Sequence, residues 1–320
     1  MGDSVCVILT VTLNAAVDKT YTVENFAIDR VHRPSSWRIV PGGKGINVAR
    51  VYREVGGEAV ATGFIGGHNG DYILQGMREE GLKSDFVRTA GESRVCIAIL
   101  DPIGKTQTEL NEVGPAVTDE EVRRLNLKFE SLVPGMQFAV FSGSIPPGVV
   151  NSIYRELTEL ARHYDVPCVL DTSGAPLAEA LVAKPFMAKP NVHELSAVVG
   201  RQLGTVEEAT EAAREVNRRG VDIVIVTLGR DGALAATSEG VWRARPPEIP
   251  FVSAVGSGDA LAAAFLHVLA TGGSVPEALR FGVGAGAANA MTFGAGFCRR
   301  EDIVQLAEQT EVAELAAAAR

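Results

Sequence analysis

The 320-residue chain predicts an α/β fold: three Rossmann-like layers, a mainly parallel sheet with helices on both faces, plus a small β-sheet lid. Three observations carry this expectation. Short β-branched runs alternate with helix-forming runs over most of the length, the pattern of parallel strands joined by crossover helices. With 46% hydrophobic residues, the chain has ample apolar material for a large core. Two segments, 19–40 and 92–112, carry strand and turn patterns without helices.

The elements follow in order. Residues 5–12 form an apolar, β-branched strand with neither a basic leader nor a small-residue cleavage site, so it is read as a strand and not as a signal peptide. Thr20–Val23 and Trp37–Val40 read as strands. A helix over 46–55 stops at Gly56-Gly57, as helices often stop at glycine. Strand 59–64 and helix 71–80 follow, then strand patterns at Arg94–Leu100 and Gln107–Leu110. Helix 118–132, strand 137–142, helix 149–164 and strand 166–171 resume the alternation, and helix 206–219, strand 221–227 and helix 258–270 continue it. Gly284–Ala290 reads as a close-packed helix whose small residues leave room for a flat ring.

Residues 1–13, 41–91 and 113–310 then make the α/β core, 14–40 and 92–112 the lid, and 311–320 a tail. The two lid segments either form a separate sheet over a ligand cleft or extend the edge of the main sheet. Glu314–Arg320 is low in complexity and is expected to be a frayed helix end. No apolar stretch approaches the roughly 18 residues that span a bilayer.

A net charge of −9 disfavours a general nucleic-acid or anionic-membrane surface. An anionic substrate would need local cations, for which Lys44, Arg94 and Lys189 are candidates. Cys6, Cys96, Cys168 and Cys298 are far apart, without metal-type spacing, and fit reduced thiols in a cytosolic protein.

In parallel α/β sheets ligands sit beyond the carboxyl ends of the strands, here the loops Ser142-Gly143-Ser144, Asp171-Thr172-Ser173-Gly174 and Thr227-Leu228-Gly229. The most informative stretch is Gly256-Ser257-Gly258-Asp259, which opens the helix over 258–270. Bare N–H groups at a helix start attract anions, and glycine lets a phosphate approach the main chain. A carboxylate there suits a base beside a phosphoryl acceptor; it equally suits a turn whose Asp favours the helix dipole.

Pro41-Gly42-Gly43-Lys44-Gly45 precedes a helix, but Ile46 rules out a Walker A loop. Its glycines can admit sugar hydroxyls and Lys44 a phosphate, or the segment is a solvated turn. Asn191 and Glu194 have capping-box spacing; the alternative places Glu194 near Mg²⁺ through water. The loop from Thr227 to Gly232 either holds nucleotide phosphates or turns the chain. His193 and His267 lack triad partners and read as packing or surface residues, and neither GxSxG nor HExxH occurs.

Taken together, Thr12-Leu13-Asn14, Pro41–Arg50, Ser142–Gly148, Asp171–Gly174, Lys189-Pro190-Asn191, Thr227-Leu228-Gly229 and Gly256–Asp259 resemble the ribokinase-like (PfkB) carbohydrate kinases. The resemblance is to the phosphosugar branch, which holds 1-phosphofructokinase, tagatose-6-phosphate kinase and the minor bacterial 6-phosphofructokinase. It implies ATP and Mg²⁺ as cofactors, a monovalent cation in some members, and a cytoplasmic homodimer built through the lid. It implies Asp259 as the base and Gly256, Ser257 and Gly258 as the anion hole. Asp18, Gly42, Gly43, Asn47 and Ser142 would face the sugar, and Lys44 and Arg94 its phosphate. Lys189, Asn191, Thr227, Gly229, Gly232 and Asn289 would meet ATP, and Glu194 the metal. Phosphoryl transfer has a loose transition state, so an Asp of ordinary or lowered pKa would serve, taking the proton late.

The branch often has proline where this chain has Ala15, and Lys44 resembles the 1-phosphofructokinase and tagatose-phosphate members. The stretch from Glu194 to Arg214 and the Cys298 region are closer to the minor 6-phosphofructokinase, and Arg94–Ala98 to tagatose-phosphate kinases. The expected reaction is fructose 1-phosphate to fructose 1,6-bisphosphate, with tagatose 6-phosphate and then fructose 6-phosphate as alternative acceptors. A dehydrogenase is disfavoured because the first strand leads to Leu13-Asn14-Ala15-Ala16 and not to GxGxxG. A sugar-phosphate sensor on the same fold is the non-enzyme alternative, and a pure binder would have no use for Asp259.

Overall fold

The computed structural model describes residues 6–315. Strand β1 (Val7–Thr12) starts the main sheet, β2 (Ala16–Thr22) and β3 (Ser36–Gly42) leave it, and α1 (Lys44–Glu54) and β4 (Glu58–Gly66) return to it. Next come α2 (Gly67–Glu79), the short β5 (Lys83–Ser84) and β6 (Val87–Thr89), then β7 (Arg94–Asp101) and β8 (Thr106–Asn111). The alternation resumes with α3 (Asp119–Leu132), β9 (Phe138–Ser142), α4 (Ile153–His163), β10 (Cys168–Asp171) and α5 (Gly174–Leu181). It continues through β11 (Met187–Ala188), α6 (Val192–Val199), α7 (Val206–Arg218) and β12 (Ile223–Thr227). The chain closes with β13 (Ala233–Ala236), β14 (Val241–Arg245), α8 (Ser257–Ala270), α9 (Val275–Ala290), α10 (Arg300–Gln309) and β15 (Glu311–Glu314).

The main sheet runs β15-β14-β13-β12-β11-β10-β9-β1-β4-β5, with β6 also paired to β4. It is parallel from β12 to β5 and antiparallel at the β13–β15 edge. Side chains alternate across it. Leu9, Val11, Phe141, Leu170 and Val224 pack with Phe129, Tyr154 and Leu157 on the face of α3–α7. Ile8, Val140, Val169 and Ile225 pack with Val48, Phe265 and Leu279 on the face of α1, α8 and α9. This period of two between two covered faces makes the strands read as continuous apolar runs. Truncating a fully buried ring such as Phe141 to alanine would cost about 3–5 kcal/mol. Capping boxes at Thr118/Glu121, Thr205/Glu208 and Ser274/Glu277 start α3, α7 and α9.

The second sheet is separate, in the order β3-β2-β7-β8, with β2 and β7 parallel and the outer pairs antiparallel. The lid segments therefore do not extend the main sheet. In its register Asp18 lies opposite Cys96 and Ala16 opposite Arg94, so Asp18 and Arg94 share one face.

Glu314, expected in a frayed helix, instead lies in β15, which pairs with β14; the following Leu315 N–H donates to Val241 O at 2.7 Å. Val312 packs on the core from β15, and pairing with the open edge of β14 makes this segment a strand. Val5 and residues 316–320 lie outside the described residues. No described helix is long and apolar enough to cross a membrane.

Candidate active site

A cleft of 620 Å³ lies between the carboxyl ends of the main-sheet strands and the second sheet. It brings together Asp18, Gly43, Lys44, Asn47, Arg94, Ser142, Lys189, Asn191, Glu194, Thr227, Gly256, Gly258 and Asp259. The other expected residues, Gly42, Ser257, Gly229, Gly232 and Asn289, are not on its wall.

One end of the cleft is the start of α8. Gly256 holds φ 81°, and a Cβ there would come within 2.7 Å of Ala295 Cβ, so both conformation and space demand glycine. The Ser257 N–H donates to Ala254 O at 3.1 Å and the Ala260 N–H to Gly256 O at 2.9 Å. The amides of Gly258 and Asp259 have no carbonyl one turn back, as in the first turn of any helix, and make a local anion cradle. A Cβ on Gly258 would lie 3.0 Å from Lys189 Nζ, so glycine leaves room for that ammonium.

The Ser257 hydroxyl turns away and accepts from Asn289 Nδ2 at 3.2 Å. Asn289 is fully buried; its Nδ2 also donates to Val255 O at 2.7 Å and its Oδ1 accepts from Gly296 N at 2.7 Å. Both ends of its amide brace two loops, behind the cleft wall. At Gly232 a Cβ would sit 2.0 Å from Ala244 O, so the packing against β14 demands glycine. Gly229 opens a short 3₁₀ turn with φ 62° and nothing near its Cβ position. Gly42 lies behind Asp18, and a Cβ there would meet the Asp18 carboxylate at 2.1 Å.

The charges form one connected group. Asp259, 4% exposed, accepts at Oδ2 from Asn47 Nδ2 at 2.9 Å. Asn47 Oδ1 accepts from Arg50 Nη1 at 2.9 Å, and Arg50 is itself tied to Glu80 at 2.6 Å and to Pro41 O at 2.7 Å. Asp171, 1% exposed, receives Lys44 Nζ at 2.8 Å on Oδ1 and Lys189 Nζ at 3.1 Å on Oδ2. Burial opposes its ionisation, but the two lysines outweigh burial and hold Asp171 at about 2. Asp259 is pushed up to about 6, first by burial and then by Asp171, against the pull of Lys44, the Asn47 hydrogen bond and Lys189. The expected ordinary or lowered value is thus corrected, because α8 carries Asp259 into the interior. Burial also lifts Asp18 to about 6, with Arg50 and Arg94 opposing. Burial would lower Lys44, but Asp171 and Asp259 raise it above its usual value.

The cleft floor is polar and under-satisfied. Thr12 Oγ1, Asn14 Oδ1 and Ser142 Oγ are buried without a hydrogen-bond partner and border the cleft, as suits a hydroxyl-rich ligand. Tyr154, stacked on Phe141, reaches from α4 to donate toward Ser142 O and Gly143 O, each at 3.3 Å, and so supports this floor. Arg94 Nε donates to Asn14 O at 3.1 Å and Nη1 to Glu112 O at 3.0 Å, which aims the guanidinium along the lid.

Glu194 caps α6: Oε2 accepts from Asn191 N, and Asn191 Oδ1 accepts from Glu194 N, both at 2.8 Å. The capping-box reading therefore holds, with both residues also on the cleft wall. Among the described residues no cluster of three or more His, Cys, Asp or Glu side chains is built to hold a metal ion. A single carboxylate beside a phosphate site fits Mg²⁺, which takes its other ligands from phosphate oxygens and water.

Sequence reasoning placed Asp171 in a ligand loop but gave it no role of its own, although an acidic residue ending the apolar strand Cys168–Asp171 was a usable signal. Arg50 was missed; its signal was its place one turn after Asn47 on α1.

Residues 5–302 match the pfkB family carbohydrate kinase. The 1-phosphofructokinase of Bacillus subtilis (strain 168) is 36% identical over 310 residues, covering 96% of this chain and all of that protein. The 1-phosphofructokinase of Rhodobacter capsulatus is 38% identical over 277 residues, or 85% of this chain and 87% of that protein. Phosphofructokinase-2 from Escherichia coli, solved in complex with potassium, superposes with a TM-score of 0.89 at 31% identity, covering 95% of this chain and 99% of that one.

Proposed function

Because the chain belongs to the pfkB family of carbohydrate kinases, we propose that it transfers a phosphoryl group from ATP to fructose 1-phosphate, giving fructose 1,6-bisphosphate. The observation that carries the reaction is the juxtaposition of Asp259 with the first-turn amides of α8 and with Lys189. The choice of acceptor rests on the relatives named 1-phosphofructokinase and on Lys44 in the cleft.

ATP with Mg²⁺ supplies the phosphoryl group, whose bond to the nucleotide breaks as the bond to the sugar oxygen forms. Asp259 takes the proton of that hydroxyl. Asn47, oriented by Arg50, occupies Oδ2 and leaves Oδ1 for the proton. The amides of Gly258 and Asp259 and the Lys189 ammonium meet negative charge on the group in transit. Lys44 and Arg94 bind the phosphate already on the sugar, and Asp18, Gly43 and Ser142 receive sugar hydroxyls. Lys189, Asn191, Thr227 and the open turn at Gly229 bound the nucleotide side, and Glu194 would hold Mg²⁺ through water.

A homodimer through the second sheet is part of the same proposal. Trp37 and Leu110, 65% and 55% exposed, lie on the lid face opposite Asp18, where a second copy would cover them. A cytoplasmic location and a monovalent-cation requirement complete the reading.

Initial rates with ATP and each of fructose 1-phosphate, tagatose 6-phosphate and fructose 6-phosphate test it. The expected kcat/KM favours fructose 1-phosphate by about tenfold or more. A higher value for either rival overturns the acceptor. No turnover with any of them overturns the kinase reading in favour of a sensor.

A further inference from the structure

The two edge strands of the lid each hold a core loop that ends beside the start of α8. On β3, Arg38 Nη1 donates to Phe293 O at 2.8 Å, and its guanidinium lies 3.7 Å from the centre of the Phe297 ring. The 291–299 loop contains Ala295, which abuts Gly256. On the opposite edge, every residue of β8 is exposed except Gln107. The Gln107 Oε1 accepts from Ser253 Oγ at 3.0 Å, across 146 positions of sequence.

Ser253 is only 3% exposed although Phe251 and Val252 beside it are 66% and 40% exposed. Its hydroxyl donates to Gln107 and accepts from Val255 N–H at 3.2 Å. Val255 borders the cleft and directly precedes Gly256. A lid-strand carboxamide thus reaches the amide cradle through one hydroxyl and one backbone N–H.

We propose that Gln107 and Ser253 are positioning residues for phosphoryl transfer: their hydrogen bond sets the loop entering α8 when the lid lies over the cleft, so that the anion cradle is in register only beneath a seated lid. Neither residue touches a reacting atom. Asp18 and Arg94, the lid side chains that meet the sugar phosphate under the proposed function on which this inference rests, lie on the inner strands β2 and β7. Loss of the Gln107–Ser253 bond therefore acts on the chemical step more than on sugar binding.

A double-mutant cycle tests the pair, with Gln107→Ala, Ser253→Ala and the double variant assayed on the sugar phosphate that the wild-type protein uses best. Each single variant is expected to lose about fivefold in kcat, the effect of one neutral hydrogen bond, with KM for the sugar phosphate within about twofold of wild type. The double variant is expected to lose no more than the worse single one. Gln107 is half-buried on an edge strand outside the main core, so its variant folds even where Ser253→Ala is poorly tolerated. Hydrogen exchange supplies a readout independent of turnover: the Val255 amide in the ligand-free protein should exchange about fivefold faster in Gln107→Ala. Unchanged kcat, losses that multiply in the double variant, a rise in KM without a fall in kcat, or unchanged Val255 exchange each overturn the proposal. Absence of turnover in the wild-type protein instead overturns the proposed function, and the exchange measurement still decides whether the Gln107–Ser253 bond reaches the loop.

Discussion

Asp259→Asn should destroy turnover and stabilise the protein in a pH-dependent way. The swap keeps the shape, and the new carbonyl can still accept from Asn47 Nδ2, but the base is gone; kcat should fall by about 10² or more. Burial raises Asp259 from 3.8 to about 6, a difference that corresponds to about 3 kcal/mol. Because the folded-state value is raised, the folded protein binds more protons than the unfolded chain between those two values. Stability therefore rises as pH falls from 6 toward 3.8, and the ionised Asp259 weakens the fold fully only above pH 6. The asparagine variant escapes that penalty, so at pH 7.5 it should be more stable by up to about 3 kcal/mol, or about 5 °C in Tm for a chain of this size. At pH 5 the gain should shrink to roughly half, since the wild-type carboxyl is then mostly protonated. Thermal unfolding of both proteins without ligands at the two pH values, beside initial rates, is the assay. Turnover within about threefold of wild type would remove Asp259 from the role of base. A variant less stable at pH 7.5, or a gain equal at both pH values, would refute the electrostatic argument.

Two further outcomes follow from the cleft. Lys44→Met should lower kcat/KM for the sugar phosphate by about 10²-fold, from loss of a charge-assisted contact, and leave the slow reaction with the unphosphorylated ketose much less affected; equal losses on both sugars would exclude a phosphate-holding role. Gly256→Ala must accommodate φ 81° and a Cβ 2.7 Å from Ala295 Cβ, so it should cost about 1–3 kcal/mol in thermal or denaturant unfolding and lower kcat further by misplacing the cradle. Wild-type stability and rate in that variant would contradict the packing described for the start of α8.

The legible parts of the site were those written in adjacent residues. Gly256-Ser257-Gly258-Asp259 was recognisable as a helix entry with a carboxylate on its first turn because conformation and capping depend on near neighbours. The Asn191–Glu194 capping box was visible for the same reason. Strand β13 (Ala233–Ala236) was missed because three alanines and one leucine carry no polar–apolar alternation; pairing with β12 and β14 makes it a strand. The bracing by Asn289 and the close packing at Gly232 were not legible, because their partners lie on other elements.

By itself the sequence determined the α/β alternation, the extra lid segments and the helix start that bears Asp259, because periodicity, glycine conformations and caps act over a few residues. Only the tertiary structure decided that Lys44 and Lys189 converge on Asp171, with Lys44 reaching across 127 positions of sequence, and that Asp259 lies deep enough for burial to lift it to about 6. Electrostatic energy depends on separation in space and on exclusion of water. Both are set when strand ends from distant parts of the chain are packed side by side.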